Sequence, residues 1–198
     1  CCTTLKSAAE ACRFMGGGKP LKGAEEAAAS APVVIIATPD TEIAFAARAA
    51  ERSIHSGDVV LHLSGALSSE LLEPCRRRGG SVASMHPLQS FADPEAALHL
   101  VPGSVFACEG DVAAVETAFR IAGRIGGKPI RIATDRKTVY HAAAAAASNF
   151  MIPPLLLALD LMEAAGLGRE TGMEALKPLI LGTAKNAALV GVPAALTG

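Results

Sequence analysis

Tryptophan is absent from this 198-residue chain, and a single tyrosine, Tyr140, accompanies six phenylalanines. Aromatics make up 4% of the residues, charged residues 19%, and the net charge is −1. A nucleic-acid-binding surface needs a basic stripe interleaved with stacking aromatics, so that class of partner is excluded. The one basic run, Arg76-Arg77-Arg78, reads as a solvated helix end. Cysteine is scarce and unpatterned. The five residues, at 1, 2, 12, 75 and 108, form no CxxC and no metal-ligand spacing, which excludes a zinc module or disulfide framework and predicts no metal site. Reduced thiols in a cytoplasmic protein are the expectation, and no secretory leader pattern is seen. The most apolar run, Phe150 to Leu159, is too short to span a bilayer and contains Pro153-Pro154, so no membrane partner is expected. A phosphate-binding glycine turn is also lacking. Gly16-Gly17-Gly18 follows a helix, and Gly123-Arg124-Ile125-Gly126-Gly127 closes one.

What is present is a chain that is 51% hydrophobic, enough to bury the core of one or two compact domains. Thr3 or Thr4 can cap a helix from about Leu5 to Met15, stopped by the triple glycine and Pro20. Glu25 to Ser30 is a short Ala-rich helix. Val33-Val34-Ile35-Ile36-Ala37 is a continuous β-branched run, which predicts a strand buried on both faces. A helix follows from about Thr41 to Arg52. Strands are expected at Asp58 to Leu63, Ser81 to Met85, Ser104 to Cys108 and Pro129 to Ala133. Helices are expected near Ser68 to Arg77 (strained by Pro74), at Pro94 to Leu98 as one turn, and from Asp111 to Ile125. This alternation predicts an α/β fold with a mainly parallel sheet and right-handed crossovers.

After Thr134-Asp135 the strand signals stop. Arg136 to about Ala165 reads as one helix kinked at Pro153-Pro154, and Thr171 to Leu189 as a second, with Pro178 inside it. The expected boundary lies near residue 134, with an α/β domain at 1–134 and an all-α domain at 135–198. The front, Cys1-Cys2-Thr3-Thr4, carries no Met, and the back stops at Gly198 without an end signal. Incompleteness at both ends is therefore expected.

Two polar phrases end successive apolar strands: His62-Leu63-Ser64-Gly65 and Ser84-Met85-His86-Pro87-Leu88-Gln89-Ser90-Phe91. Ligands of open α/β sheets bind at strand carboxyl ends, so the two phrases read as walls of one cleft. The alternative is a pair of ordinary strand-to-helix turns, with Ser and Gly serving caps. A second constellation lies on the helix after residue 134. At 100° per residue, Lys137, His141, Ala144 and Ser148 share a stripe roughly 60° wide, with Asn149 on its shoulder. The competing reading is an Ala face packed on another helix, with Lys137 solvated.

These phrases, together with Val34-Ile35-Ile36-Ala37-Thr38-Pro39-Asp40 and Tyr140-His141-Ala142-Ala143 continuing to Ala147-Ser148-Asn149, resemble a bacterial family. In it a Rossmann-like NADP-binding domain precedes a helical domain of unassigned function. Pyrroline-5-carboxylate reductase, prephenate dehydrogenase and deazaflavin-dependent NADP oxidoreductases are relatives. The departure is at the front: the family opens with a strand and G-x-G-x-x-G, and here Cys1-Cys2-Thr3-Thr4 aligns with the end of the second strand. The first strand of the sheet is expected to be missing, as in a fragment.

The resemblance implies an NAD(P)-dependent oxidoreductase acting on a small carbonyl, imine or hydroxy acid, with NADP (or NAD) as cofactor. The alternative is a dinucleotide-binding or sensor module without turnover. It implies cofactor contacts at Thr3, Thr4 and Lys6 near the ribose or its 2′-phosphate, at Thr38, Pro39 and Asp40 along the groove, and at Ser64 and Gly65 near the nicotinamide. Ser64 and His86 are candidate catalytic groups on one wall, with His86 as a general acid. Lys137 or His141 is the candidate acid on the other, with Asn149 orienting the substrate. His62 reads as core; His55 and His99 read as surface loop residues. Arg131 and Arg136 are the nearest candidates for an anion clamp. The helical domain is expected to form a homodimer.

Overall fold

The structure is a computed structural model and describes residues 4–195. The chain divides into two compact units, Cys1–Ala144 and Ala145–Gly198. The division falls inside a helix rather than at the expected boundary near 134.

The first unit opens with helix α1 (Leu5–Phe14), capped by the Thr4 hydroxyl, which accepts from the Ser7 N–H at 3.1 Å. Short α2 (Ala24–Ala28) leads into β1 (Val33–Ile36). There follow α3 (Ile43–Ala50), β2 (Val59–His62), α4 (Glu73–Arg77), β3 (Ser81–Leu88), α5 (Pro94–Leu100), β4 (Val105–Gly110), α6 (Val112–Arg124), β5 (Lys128–Arg131) and α7 (Lys137–Ala147). The sheet order is β1-β2-β3-β4-β5, and every pair is parallel except β3 with β4. The α/β fold with a mainly parallel sheet is therefore the one the alternation of elements predicts.

Side-chain alternation assigns each strand residue to a face. Ile36, Val60 and Val82 join Ile43, Ala47 and Leu72 in one apolar cluster. Leu61, Ala83, Met85, Phe106 and Cys108 join Val115, Ala118 and Ala122 of α6 in the other. Three details depart from expectation. First, β1 is not buried on both faces: Val33 is 36% and Ile35 45% exposed. Among the described residues β1 is an edge strand, and the α6 layer covers β2 to β5 without reaching it.

Second, the helix expected at Ser68 to Arg77 is a 3₁₀ turn (Ser69–Leu72) followed by α4. Pro74 sits in the first turn of α4, where its missing N–H costs nothing. Third, β3 runs on through His86-Pro87-Leu88 instead of ending at Met85. Its pairing with β2 stops at Ser84, so Pro87 lies where one edge is free and a lost donor is tolerated.

In the second unit, Ser148 leaves helical geometry (φ −124°, ψ −78°) and a 3₁₀ turn (Asn149–Met151) leads to α8 (Ile152–Ala164) and α9 (Arg169–Val190). The single kinked helix expected over Arg136 to Ala165 is thus two helices. Pro153 and Pro154 cannot donate to the carbonyls of Asn149 and Phe150 and clash with the turn before them, so the break falls ahead of the pair. By length and composition alone, Thr134–Ala164 could cross a membrane, but that run contains this break. Arg169, in the first turn of α9, bonds Asp160 of α8 at 2.9 Å and also Glu163. Gly172 lets α9 approach Met162 closely, since a Cβ there would lie 3.0 Å from the Met162 Cβ.

Candidate active site at the carboxyl ends of the central strands

Strands β1, β2 and β3 are parallel, so their carboxyl ends open on one edge of the sheet. On one face the side chains grade from apolar to polar toward that edge: Val60 then His62 on β2, and Val82, Ser84 then His86 on β3. Glu109 of β4 lies in register with Ser84 and shares the face. The first turns of α7 cross this polar end.

The inward stripe of α7 is Lys137, Tyr140, His141 and Ala144; Thr138, Val139, Ala142 and Ala143 are exposed. Spacings of three, four and seven place all four on one side of a helix. The Tyr140 hydroxyl and His86 Nδ1 lie 3.0 Å apart. The His86 ring meets Tyr140 and His141 edge to face, with centroids 5.8 and 6.0 Å away. Both imidazoles close on Gly65: a Cβ at that position would lie 2.6 Å from His141 Nδ1 and 2.6 Å from His86 Nε2. Only glycine leaves room for both rings. His141 Nδ1, like His62 Nε2, is buried and has no hydrogen-bond partner among the described residues.

Burial pushes the His86 imidazole down to about 4, helped by the Lys137 and His141 charges and opposed by Asp40. His86 is therefore neutral at pH 7. Burial likewise raises the Tyr140 phenol, which stays protonated. His62 is wholly buried and is lowered to about 4, chiefly by burial and then by Lys137. Its Nδ1 accepts the Ser64 N–H at 3.1 Å, which makes it a loop-shaping core residue.

Ser64 is committed elsewhere than to a substrate. Its hydroxyl donates to Asp40 at 2.9 Å and accepts the N–H groups of Ala66 and Leu67 at 3.2 and 3.1 Å. It shapes the turn that presents Gly65 and ties that turn to the Thr38-Pro39-Asp40 loop. Lys137 also departs from its expected role. Only 1% of its side chain is exposed, and its Nζ lies 3.4 Å from Glu109 Oε1 and donates to the Ser84 hydroxyl.

Thr38, Pro39 and Asp40 are exposed at the end of β1, and Lys6 is exposed on α1. Thr4 caps α1; Thr3 lies outside the described residues. Asn149 opens the 3₁₀ turn of the second unit, off the helix that carries His141. Arg131 and Arg136 are exposed. Cys75 and Cys108 are buried free thiols pushed up to about 11 by burial, hence unreactive.

Tyr140 and Glu109 are the members of this polar cluster that were not among the residues expected from the sequence. Tyr140 had a signal, since it falls between Lys137 and His141 on the inward stripe. Glu109 had a weaker one, as the lone acid closing an apolar strand.

The fit to a dinucleotide is divided. Strand ends with an exposed Thr-Pro-Asp loop, a close-approach glycine and an orphaned buried nitrogen suit the nicotinamide and substrate end. The glycine-rich turn that cradles a pyrophosphate is not in this sequence.

Residues 9–87 match the family model for a Rossmann-like domain, and residues 104–198 match that for a domain of unknown function, DUF2520. Protein TM1727 from Thermotoga maritima is 29% identical, with a TM-score of 0.76 over 100% of this chain and 73% of that one. A Plasmodium falciparum pyrroline carboxylate reductase with NADP bound is 14% identical (TM-score 0.62; 85% of this chain, 62% of that one). A reductive aminase from Aspergillus terreus in complex with NADPH and ethyl-5-oxohexanoate is 17% identical (TM-score 0.65; 93% and 65%). No curated protein matches. The candidate site draws Gly65 and His86 from the first matched segment, and Tyr140 and His141 from the second. Along the chain, a segment similar to a Rossmann-like domain is thus followed by one similar to DUF2520.

Proposed function

We propose that the protein is an NAD(P)-dependent oxidoreductase acting on a small carbonyl, imine or hydroxy acid. The observation that carries this reading is the buried, unpartnered His141 Nδ1, converging with His86 on Gly65 at the carboxyl ends of parallel strands. Solved proteins of the same fold carry NADP or NADPH, which favours that cofactor class. Thr38, Pro39, Asp40 and Gly65 would hold the cofactor, with Thr4 and Lys6 toward the ribose. When bound, the nicotinamide supplies or accepts the hydride.

The protein's own share is proton handling and orientation. Tyr140, kept protonated by burial, shares a hydrogen bond with His86 Nδ1; with the phenol as donor, the ring proton of neutral His86 sits on Nε2, facing Gly65. His141 Nδ1 is the free nitrogen that takes a substrate hydroxyl proton or returns it to a carbonyl oxygen or imine nitrogen. The closed packing of both rings on Gly65 keeps water from that nitrogen.

Fluorescence titration with NADPH and NADH, on this chain and on one extended by any upstream coding sequence, tests the reading. Binding by the extended chain supports it, and no binding by either overturns it. With a turnover assay, His141→Ala should cut kcat on the order of 10²–10⁴-fold while leaving cofactor affinity nearly unchanged. Binding without oxidation or reduction of any ketone, imine or hydroxy acid would instead indicate a sensor.

We also propose that the second unit docks against a second copy of this chain. No residue of α8 is buried, and Leu156, Leu157, Leu161, Leu179 and Leu181 of α8 and α9 are all at least half exposed. A helix apolar on all sides is ordinarily covered, and an apolar surface of this kind suits a symmetric partner. Light scattering at the monomer mass would overturn this.

A further inference from the structure

Lys137 is the largest fully buried side chain among the described residues, and the groups around it account for its charge. Glu109, also fully buried, meets Lys137 Nζ with Oε1 at 3.4 Å. The same oxygen accepts the Ser69 N–H at 2.9 Å, and Oε2 accepts the Ser69 and Thr134 hydroxyls at 2.8 and 2.9 Å. The Ser84 hydroxyl accepts from Lys137 and donates to the Ser64 carbonyl at 3.2 Å. One network thus joins β3, β4, α7 and the loop after β2.

Its members adjoin those of the histidine cluster in sequence. Ser64 precedes Gly65, Ser84 lies two residues before His86 on the same face, and Lys137 lies one turn before His141. The ammonium is sealed from any substrate. A buried ion pair is a poor source of stability, because desolvation offsets much of the attraction, but it holds register well.

We propose that the Lys137–Glu109 pair is a positioning device: it locks the β2 loop, β3, β4 and α7 together so that His86, Tyr140 and His141 converge on Gly65, and Lys137 itself passes no proton to substrate. The role rests on the reading of that convergence as the reacting site. Four groups act electrostatically on His86: Lys137 and His141 oppose its protonation, Asp40 favours it, and Tyr140 bonds its Nδ1. Lys137 therefore serves the site through geometry and through its charge.

Two measurements on the full chain test this without cofactor. Amine acylation at pH 8, mapped by peptide mass spectrometry, should leave Lys137 unlabelled while exposed Lys19 and Lys128 are labelled fully. Glu109→Gln should make Lys137 labelled. In that variant the NMR cross-peaks between the His86 and Tyr140 rings should vanish, while those between Val60 and Val82, at the apolar end of the same face, persist. If E109Q does not fold, the doubly neutral E109Q/K137M carries the test, with the same selective loss and a His86 pKa that rises above its value of about 4. Labelling of Lys137 in the unaltered protein at the rate of Lys19 overturns the proposal, as do His86–Tyr140 cross-peaks unchanged in E109Q/K137M. Failure of the NADPH titration would overturn the oxidoreductase reading and leave these results standing.

Discussion

The two units use apolar residues differently. In Cys1–Ala144 two clusters of buried side chains line the two faces of one sheet, and the charged groups inside are paired. In Ala145–Gly198 only Gly172 is buried in the two long helices, and leucines stand bare. A sheet offers two faces, each of which one layer of helices can cover. A helix pair covers one stripe on each member and leaves the rest to solvent or to a partner. The first unit is therefore a self-contained scaffold for a polar site, and the second is a surface.

Substitutions should separate the two, and the largest effect is expected at the buried pair. Glu109→Leu leaves the Lys137 ammonium unpaired in the core and should cost about 3–5 kcal/mol in urea unfolding. A loss below 1 kcal/mol would mean that the first unit is not the closed scaffold described. Gly65→Ala comes next. Its Cβ would overlap both imidazoles, and overpacking of this kind costs roughly 1–3 kcal/mol; His86 and His141 resonances should move together.

The pH dependence is shared between two histidines. His62 and His86 titrate near 4 folded and near 6.5 free, so between those values the unfolded chain binds more protons. Their contribution to stability is complete above about pH 6.5 and is lost as pH falls toward 4. Urea midpoints that stay level from pH 7 to 5 would contradict this. Smallest is Leu157→Gln on α8. Unfolding of the first unit should change by no more than ~0.5 kcal/mol, as for an exposed site. Light scattering should nevertheless shift from dimer toward monomer mass. A large loss of first-unit stability would erase the contrast between the units.

Much of the fold was legible because it rests on local signals. β-branched runs, glycine stops and helix periodicity placed the elements of the sheet, including Val33–Ile36 and Val59–His62. Where the reading failed, a neighbour decided. Val33 and Ile35 have the composition of a doubly buried strand, yet burial depends on whether a helix layer covers each face of β1, and α6 does not reach the face they occupy. Pro87 looked like the end of a strand, yet β3 continues because its β2 neighbour stops first.

The site was half legible. Helical spacing placed Lys137 and His141 on one side of a helix, and the strand-end rule put Gly65 and His86 at one edge. Spacing could not say that Ser148 and Asn149 leave that helix, nor that Tyr140 completes the cluster.

By itself the sequence determined the alternation of strands and helices, the helical character after residue 134, and the polar phrases at the strand ends. These depend on residues within a few positions of one another, where propensity and periodicity act. Only the tertiary structure decided that Lys137 turns inward to Glu109, that Ser64 is spent on Asp40, and that two imidazoles meet over Gly65. Those pairings join residues 21 to 76 positions apart. Whether a side chain is a buried anchor or an open acid depends on the desolvation and partners it finds there, which no local pattern encodes.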